Sequence, residues 1–424
     1  MSDASRSQQE IGPCFDAYLP LDRRRALGTG GDVPERSSGT ILFADVSGFT
    51  PLMEHLASTL GPQQGAEELT RLLNSLFAPL VGEVHRRGGS IVSFGGDALT
   101  CWFPGAAADA ARRAAACALA MQRHTGDFGP TATPAGRATL SMHVGIAAGE
   151  VRRICDRRPP YGLQDLLAGA TVERLARAQS RAAAGQVVVD AATAVFLPSE
   201  IQLPLGEGLF ALAGAVMAEG VLPPSDSAGP LPALPARQAR HWLAEPLYRR
   251  LQAGGGVFAA EFRLVTSLFV RFSGLDFEGD PSAGRKLQQY VAQAQQRLAR
   301  YEGYLSLVSC DDEGGLLHVL FGAPLAHEDD PFRAVGFALE FQEAVRAFPF
   351  ISAQRCGISS GRVYAGILGS PERCTYTVLG DEVNVSARLV GAAEVGQVLV
   401  SERVRRATAD HYLYRPLVAV AVKG

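Results

Sequence analysis

The sequence predicts an α+β chain made of two ferredoxin-like domains, and three observations carry that expectation. Its 424 residues are too many for one ordinary hydrophobic core. Four blocks recur in the same order at a nearly fixed offset, 212 residues from Gly145 to Gly357 and 211 from Arg177 to Arg388, which marks a duplicated domain. Short runs rich in Val, Ile, Leu and Phe alternate with helical patterns, in the order strand, two helices, hairpin, helix, strand, and that order is the ferredoxin-like sandwich.

In chain order, residues 1–35 are expected to form an irregular N-terminal extension, followed by a first domain over 36–215. Its strand "ILFADVSGFTP" (Ile41 to Pro51) leads into a helix with Thr50 as cap and Pro51 in the first turn, an apolar stripe of Leu52, Met53, Leu56 and Leu60, and a stop at Gly61. A second helical pattern runs through Leu69, Leu72, Leu73, Leu76, Phe77, Leu80 and Val84, with a kink expected at Pro79. Gly95-Gly96-Asp97, between "SIVSF" and "ALTCWF", reads as a hairpin turn. "HVGIAAGEV" (His143 to Val151) and "AGATVERLARA" (Ala168 to Ala178) complete the copy. A Pro-, Ser- and Gly-rich linker is expected over 216–258 and a second domain over 259–424. There the counterparts are "SLFVRFSGLDF" (Ser267 to Phe277), "EGYLSLVSCDDEGGLLHVLFGAP" (Glu302 to Pro324), "RCGISSGRV" (Arg355 to Val363) and "LGDEVNVSARL" (Leu379 to Leu389).

Composition narrows the function classes. An apolar fraction of 47% with 20% charged residues suits a folded soluble protein, and a net charge of −3 leaves no basic footprint for nucleic acid. The N-terminus lacks the basic-then-apolar order of a secretory signal, and the most apolar later stretch, Leu209 to Ala218, is too short to span a bilayer, so a cytoplasmic location is the expectation. The seven cysteines form no CxxC pair and read as reduced thiols. Only Lys286 and Lys423 are lysines.

Asp45 closes a strand just before a helix start, which sets a carboxylate beside free backbone N–H groups at a positive helix end. A hairpin can bring Asp97 alongside it, and two carboxylates with an open polyphosphate side suit Mg²⁺. Taken singly, an Asp after a strand is more often a cap or turn residue, and Asn384 and Arg388, four apart on one helix face, more often a surface pair.

Together, "FADVSGFT", "GGDAL", "YTVLGDEVNVSARL" and the terminal "VKG" resemble the catalytic core of class III nucleotidyl cyclases, and two unlike copies in one chain look most like the soluble, bicarbonate-responsive adenylyl cyclases. The likeness covers roughly residues 36 to 424. It implies two cyclase domains packed head to tail as an intramolecular pseudo-heterodimer, a monomer, making cyclic AMP and pyrophosphate from ATP at one interdomain site. By that resemblance Asp45, Asp97 and the carbonyl of Val46 hold two Mg²⁺ or Mn²⁺ ions, and amides at Phe49 and Thr50 cradle phosphates. Asn384 orients the ribose, Arg388 stabilises charge on the α-phosphate, and His143 and Lys423 reach the triphosphate. Thr377 matches the family's adenine-reading position, whereas Leu307 stands where adenylyl cyclases carry lysine and guanylyl cyclases carry glutamate. The degenerate site combines Arg271 and Asp311 with Ser93 and Arg177, where the bicarbonate-responsive relatives bind the anion with a lysine and an arginine; Arg177 matches and Ser93 does not. Alternatives are a catalytically weak nucleotide-sensing module, or a guanylyl or mixed-specificity cyclase. The chain stops one residue after Lys423, inside the family's last motif, which suggests a piece of a longer protein.

Overall fold

The computed structural model describes residues 15–128, 131–133, 136–138, 140–156, 162, 164–213, 234–253 and 260–417. A 3-10 turn at Phe15–Tyr18 and helix α1 (Leu21–Gly28) precede strand β1 (Arg36–Ser47). Then come α2 (Phe49–Leu60), α3 (Pro62–Arg86), β2 (Ser90–Gly95), β3 (Ala98–Pro104) and α4 (Ala107–Phe128). A two-stranded arm, β4 (Thr131–Thr133) and β5 (Gly136–Ala138), leads to β6 (Ser141–Asp156), β7 (Gln164–Ala168) and α5 (Ala170–Arg181). The first copy closes with β8 (Val187–Asp190), α6 (Ala191–Ala194), β9 (Gln202–Gly206) and β10 (Leu209–Leu212).

After α7 (Ala236–Ala239) and α8 (Glu245–Ala253), the second copy repeats the plan with one helix fewer before its hairpin. It consists of β11 (Glu261–Ser273), α9 (Ala283–Leu298), β12 (Tyr304–Asp311), β13 (Gly314–Phe321), α10 (Asp330–Ala344), β14 (Ala353–Gly369), β15 (Cys374–Leu379), α11 (Asp381–Ala392), β16 (Val398–Val400) and α12 (Glu402–Thr408). The sheets share one core order, β2-β3-β1-β6 in the first copy and β12-β13-β11-β14 in the second. Duplication of sequence is duplication of topology.

The two copies do not keep separate interiors. The main core of the first copy takes in Tyr364, Leu368 and Leu379 of the second, and the second copy's core takes in Ile154, Leu166 and Ala168 of the first. Each of the leucines and the isoleucine contributes roughly 1.5–3 kcal/mol on full burial, so the shared apolar face holds the pair together. Thr70 Oγ1 and Tyr364 Oη add a hydrogen bond of 3.0 Å across it.

The glycines that the repeat aligned have one job in both copies. A Cβ on Gly145 would lie 2.8 Å from the backbone nitrogen of Gln179 in α5, and one on Gly357 would lie 2.3 Å from that of Val390 in α11. Hence each helix can lie directly on its sheet.

Three expectations need correction. Residues 15–28 are helical rather than irregular, and they strap the copies together: Asp22 accepts from Ser90 Oγ at 2.7 Å and from Arg153 Nη2 at 3.0 Å, while Ala17 and Tyr18 offer carbonyls to Arg373. Burial of Leu19 and Leu21 explains why this polar-looking segment is ordered. Part of the expected linker is also helical, since α8 buries Leu247 and Leu251 against the second sheet; residues 214–233 lie outside the described residues. At α2 the cap is Gly48, with φ 105, not Thr50, which belongs to the helix itself.

Candidate functional site

β1 and the hairpin β2–β3 bring the two acids together by register. Asp45 pairs with Ala98 on one side and with His143 on the other, so Asp97, the residue before Ala98, sits at the strand end beside Asp45. Burial raises the Asp45 carboxyl, opposed by the nearby His143. Burial, and then the charge on Asp45, push Asp97 up to about 7. Two crowded carboxylates that resist ionisation are a site short of positive charge. That donor set, hard oxygens with room for phosphate, fits a divalent ion of the magnesium type.

Next to it, α2 begins at Phe49 with no side-chain cap, so its first backbone N–H groups remain available for anionic oxygens. Phe49 itself is buried and stacks on Phe77 at 6.2 Å, fixing the helix start. Val46 is fully buried in β1, adjacent to Asp45. His143 faces the acid rather than open solvent: its Nε2 is 3.4 Å from Asp45 Oδ2 and 2.9 Å from Gln179 Nε2.

The second copy supplies the facing wall. A cavity of about 390 Å³ between the copies is lined by Ser93, Asp97 and Gln179 of the first and by Leu307, His318, Leu379 and Asn384 of the second, among others. The Gly95-Gly96-Asp97 turn projects between Leu307 and Leu379: a Cβ on Gly95 would stand 3.6 Å from Leu307 Cδ2, and one on Gly96 would stand 3.7 Å from Leu379 Cδ2. The glycines therefore let the acidic turn approach the second copy closely.

Other expected residues are placed less directly. Arg388 lies one turn beyond Asn384 on α11, half-buried and with no hydrogen bond or ion pair among the described residues, but it is not on the cavity wall. Thr377 is buried in β15, just before the wall residues Val378 and Leu379 and opposite Gly366. The side chain of Thr50 and the whole of Lys423 lie outside the described residues.

At the pseudo-equivalent end the charges are already satisfied. Arg271 is held by Asp311 through bonds of 2.6 and 2.9 Å and approaches Glu313 at 3.3 Å, while Arg355 reaches Glu313 at 3.1 Å. Ser93 pairs with Thr100 and Leu307 with His318 at matching places in the two hairpins, so neither copy carries a cation there. Arg177 is exposed and off the cavity wall, as Arg388 is off it on α11, and α5 turns Val172, Leu175, Ala176 and Gln179 toward the cavity. One residue of helical phase is about 100°, enough to move a side chain off the wall.

Sequence reasoning missed Gln179 and His318. Gln179 was not reachable from the expected α5 residue, Arg177, because a residue two positions on lies on a different face of a helix. His318 was reachable only through strand register, which pairs it with Leu307 across β12 and β13.

The described helices include none long and apolar enough to cross a membrane. The adenylate and guanylate cyclase catalytic domain family matches residues 33–208 and 307–424. Adenylate cyclase type 10 of Oryctolagus cuniculus is 25% identical over 411 residues, which cover 84% of this chain and 24% of that protein. Adenylate cyclase 1 of Rhizobium meliloti is 32% identical over 162 residues, 34% of this chain and 24% of that protein. The chain thus spans about a quarter of the length of these curated relatives. A class III adenylyl cyclase-like ATP-binding protein from Pseudomonas aeruginosa shares the fold with a TM-score of 0.60 at 14% identity, covering 88% of this chain and 85% of that one.

Proposed function

The chain belongs to the adenylate and guanylate cyclase catalytic domain family, and from that membership we propose that it is an adenylyl cyclase converting ATP to 3′,5′-cyclic AMP and pyrophosphate at one site between its two copies. The observation that carries this reading is the meeting of Asp97 from the first copy and Asn384 from the second on one cavity, with Asp45 beside Asp97 in register.

Asp45 and Asp97, with the carbonyl of Val46, are the residues that would hold two Mg²⁺ or Mn²⁺ ions. The chemistry that such ions would supply when bound is acidification of the ribose 3′-hydroxyl and offset of charge on the departing pyrophosphate. The N-terminal amides of α2 at Phe49 and Thr50 receive phosphate oxygens. Asn384 orients the ribose so that its 3′-oxygen meets the α-phosphorus in line. Arg388, unpaired among the described residues, swings one side-chain length toward the α-phosphate, where a planar, permanently charged guanidinium stabilises the transition state. His143, held against Asp45, acts by orienting that acid rather than by reaching the triphosphate. Lys423 remains proposed as a phosphate contact. Regulation by bicarbonate has weaker support, because Ser93 and Ala176 put no cation on the cavity and Arg271 is engaged by Asp311.

The experiment is to incubate the purified chain with ATP or GTP and each metal, with and without bicarbonate, and separate the products. Cyclic AMP is expected; no cyclic nucleotide under any condition sinks the reading. A second reading, a nucleotide sensor with little turnover, is favoured by Leu307 at the base-reading position and by Arg388 off the wall. Nucleotide binding without product would select it.

A further inference from the structure

Leu307 cannot hydrogen-bond a base, yet the residue directly across from it, His318, can. Both line the cavity, and His318 stacks on Phe269 with ring centres 4.2 Å apart and planes 7° apart, so the imidazole is held in one orientation.

Its tautomer is assigned as the one that lets every hydrogen bond of the serine chain form. Ser386 Oγ gives its single proton to the carbonyl of Val383 at 2.8 Å, so it must accept from Ser267 Oγ at 2.7 Å. Ser267, its proton thus used, must accept from His318 Nε2 at 3.0 Å. Nε2 therefore carries the hydrogen and Nδ1 is a lone-pair acceptor. Nδ1 has no partner among the described residues and is not one of the sealed unpartnered polar atoms, so it opens toward the cavity that the residue lines. Burial keeps the ring neutral, with its pKa lowered to about 3, so it stays an acceptor at physiological pH.

We propose that His318 reads the purine in place of the missing lysine, its Nδ1 accepting from the exocyclic amino group at the purine 6-position and thereby favouring adenine over guanine nucleotides. The inference rests on the reading of this cavity as the nucleotide site. A fixed acceptor meets a donor in the 6-amino group of adenine and a repelling oxygen at the same place in guanine or hypoxanthine. The serine chain, which also ties β11 to α11, makes Ser267 and Ser386 positioning residues for the ring.

The test is calorimetric binding, with Mn²⁺ present, of the 3′-deoxy triphosphates of adenosine, guanosine and inosine, which cannot cyclise. The wild type should prefer the adenosine analogue over both others. His318→Leu should cut that preference about tenfold, whereas His318→Asn, which sets a carbonyl oxygen near the place of Nδ1, should retain most of it. Should His318→Leu fail to fold, Ser267→Ala reads the same point: with the tautomer released, the preference should fall roughly threefold. A wild type without preference, an unchanged preference in His318→Leu or, where that variant is unfolded, in Ser267→Ala, or no binding of any analogue overturns the inference. A wild type that prefers the adenosine analogue, loses that preference in His318→Leu, yet makes no cyclic nucleotide from ATP supports the inference and overturns the cyclase reading alone.

Discussion

A histidine held neutral under an apolar cover leaves a thermodynamic signature of its own. His318 has its pKa lowered to about 3 from an ordinary 6.5 by burial, so on acidification the unfolded chain takes up a proton that the native state refuses. The stability tied to this group is complete above pH 6.5 and drains as pH falls toward 3. Urea unfolding at pH 7 and pH 4.5 should show a larger loss for the wild type than for His318→Leu; equal losses would mean that the ring protonates freely in the folded protein. Residues of this kind were poorly legible in the sequence. Asp45 and Asp97 could be placed because strand ends and a Gly-Gly-Asp turn have few geometries, whereas His318 stands inside an apolar strand, where only the cross-strand partner reveals its use. Arg177 takes the place in α5 that Arg388 takes in α11, each following an alanine, Ala176 or Ala387, that lines the cavity.

Helices on sheets depend on how near the two can come, and here two glycines set that distance. Gly357→Ala should push α11 off β14, because its Cβ would meet Val390 N at 2.3 Å and Ser386 O at 2.4 Å. Overpacking of this sort costs typically about 1–3 kcal/mol, and here it also displaces Asn384 and Arg388. Gly145→Ala should cost similar stability while moving α5 instead. Thermal unfolding and turnover measured together should therefore separate the two, with activity falling further in Gly357→Ala; the reverse order would place the working helix in the first copy. Arg373 joins elements in another way, donating to Ile91 and Val92 of β2 at 3.0 and 3.2 Å and to Tyr18 at 3.1 Å. Buried in a ring of carbonyls and lying over Phe94, it binds the N-terminal strap and the second copy to an edge strand of the first. Arg373→Met keeps the volume and removes every donor, and it should lower stability by roughly 3 kcal/mol in urea unfolding. The strap itself was not legible in the sequence. Its apolar residues are few, and its order comes from contacts with segments 68 to 355 residues away, such as Ser90 and Arg373.

For the molecule as a whole, the reversal from Asp45 to Arg271 is the feature that decides how many sites the duplicated fold can support. The repeat in the sequence already showed these two residues at one topological position, and the register supports it: Asp45 opposes His143 as Arg271 opposes Arg355. At the first end, two acids repel each other and call for a cation. At the other, two arginines are met by Asp311 and Glu313, a cluster that neutralises itself and would repel a divalent ion placed beside Arg271. One chain should therefore carry one competent centre. Asp45→Ala should abolish cyclic nucleotide formation and Mn²⁺ binding together. Arg271→Ala should keep both within a few-fold, and its cost should appear in stability, since Asp311 is left half-buried without its partner. Turnover and Mn²⁺ stoichiometry measured on both variants discriminate clearly. Equal losses of activity would mean that the two ends of the cavity work as a coupled pair, and the charge reversal would then have to be explained as regulation rather than as the silencing of a second site.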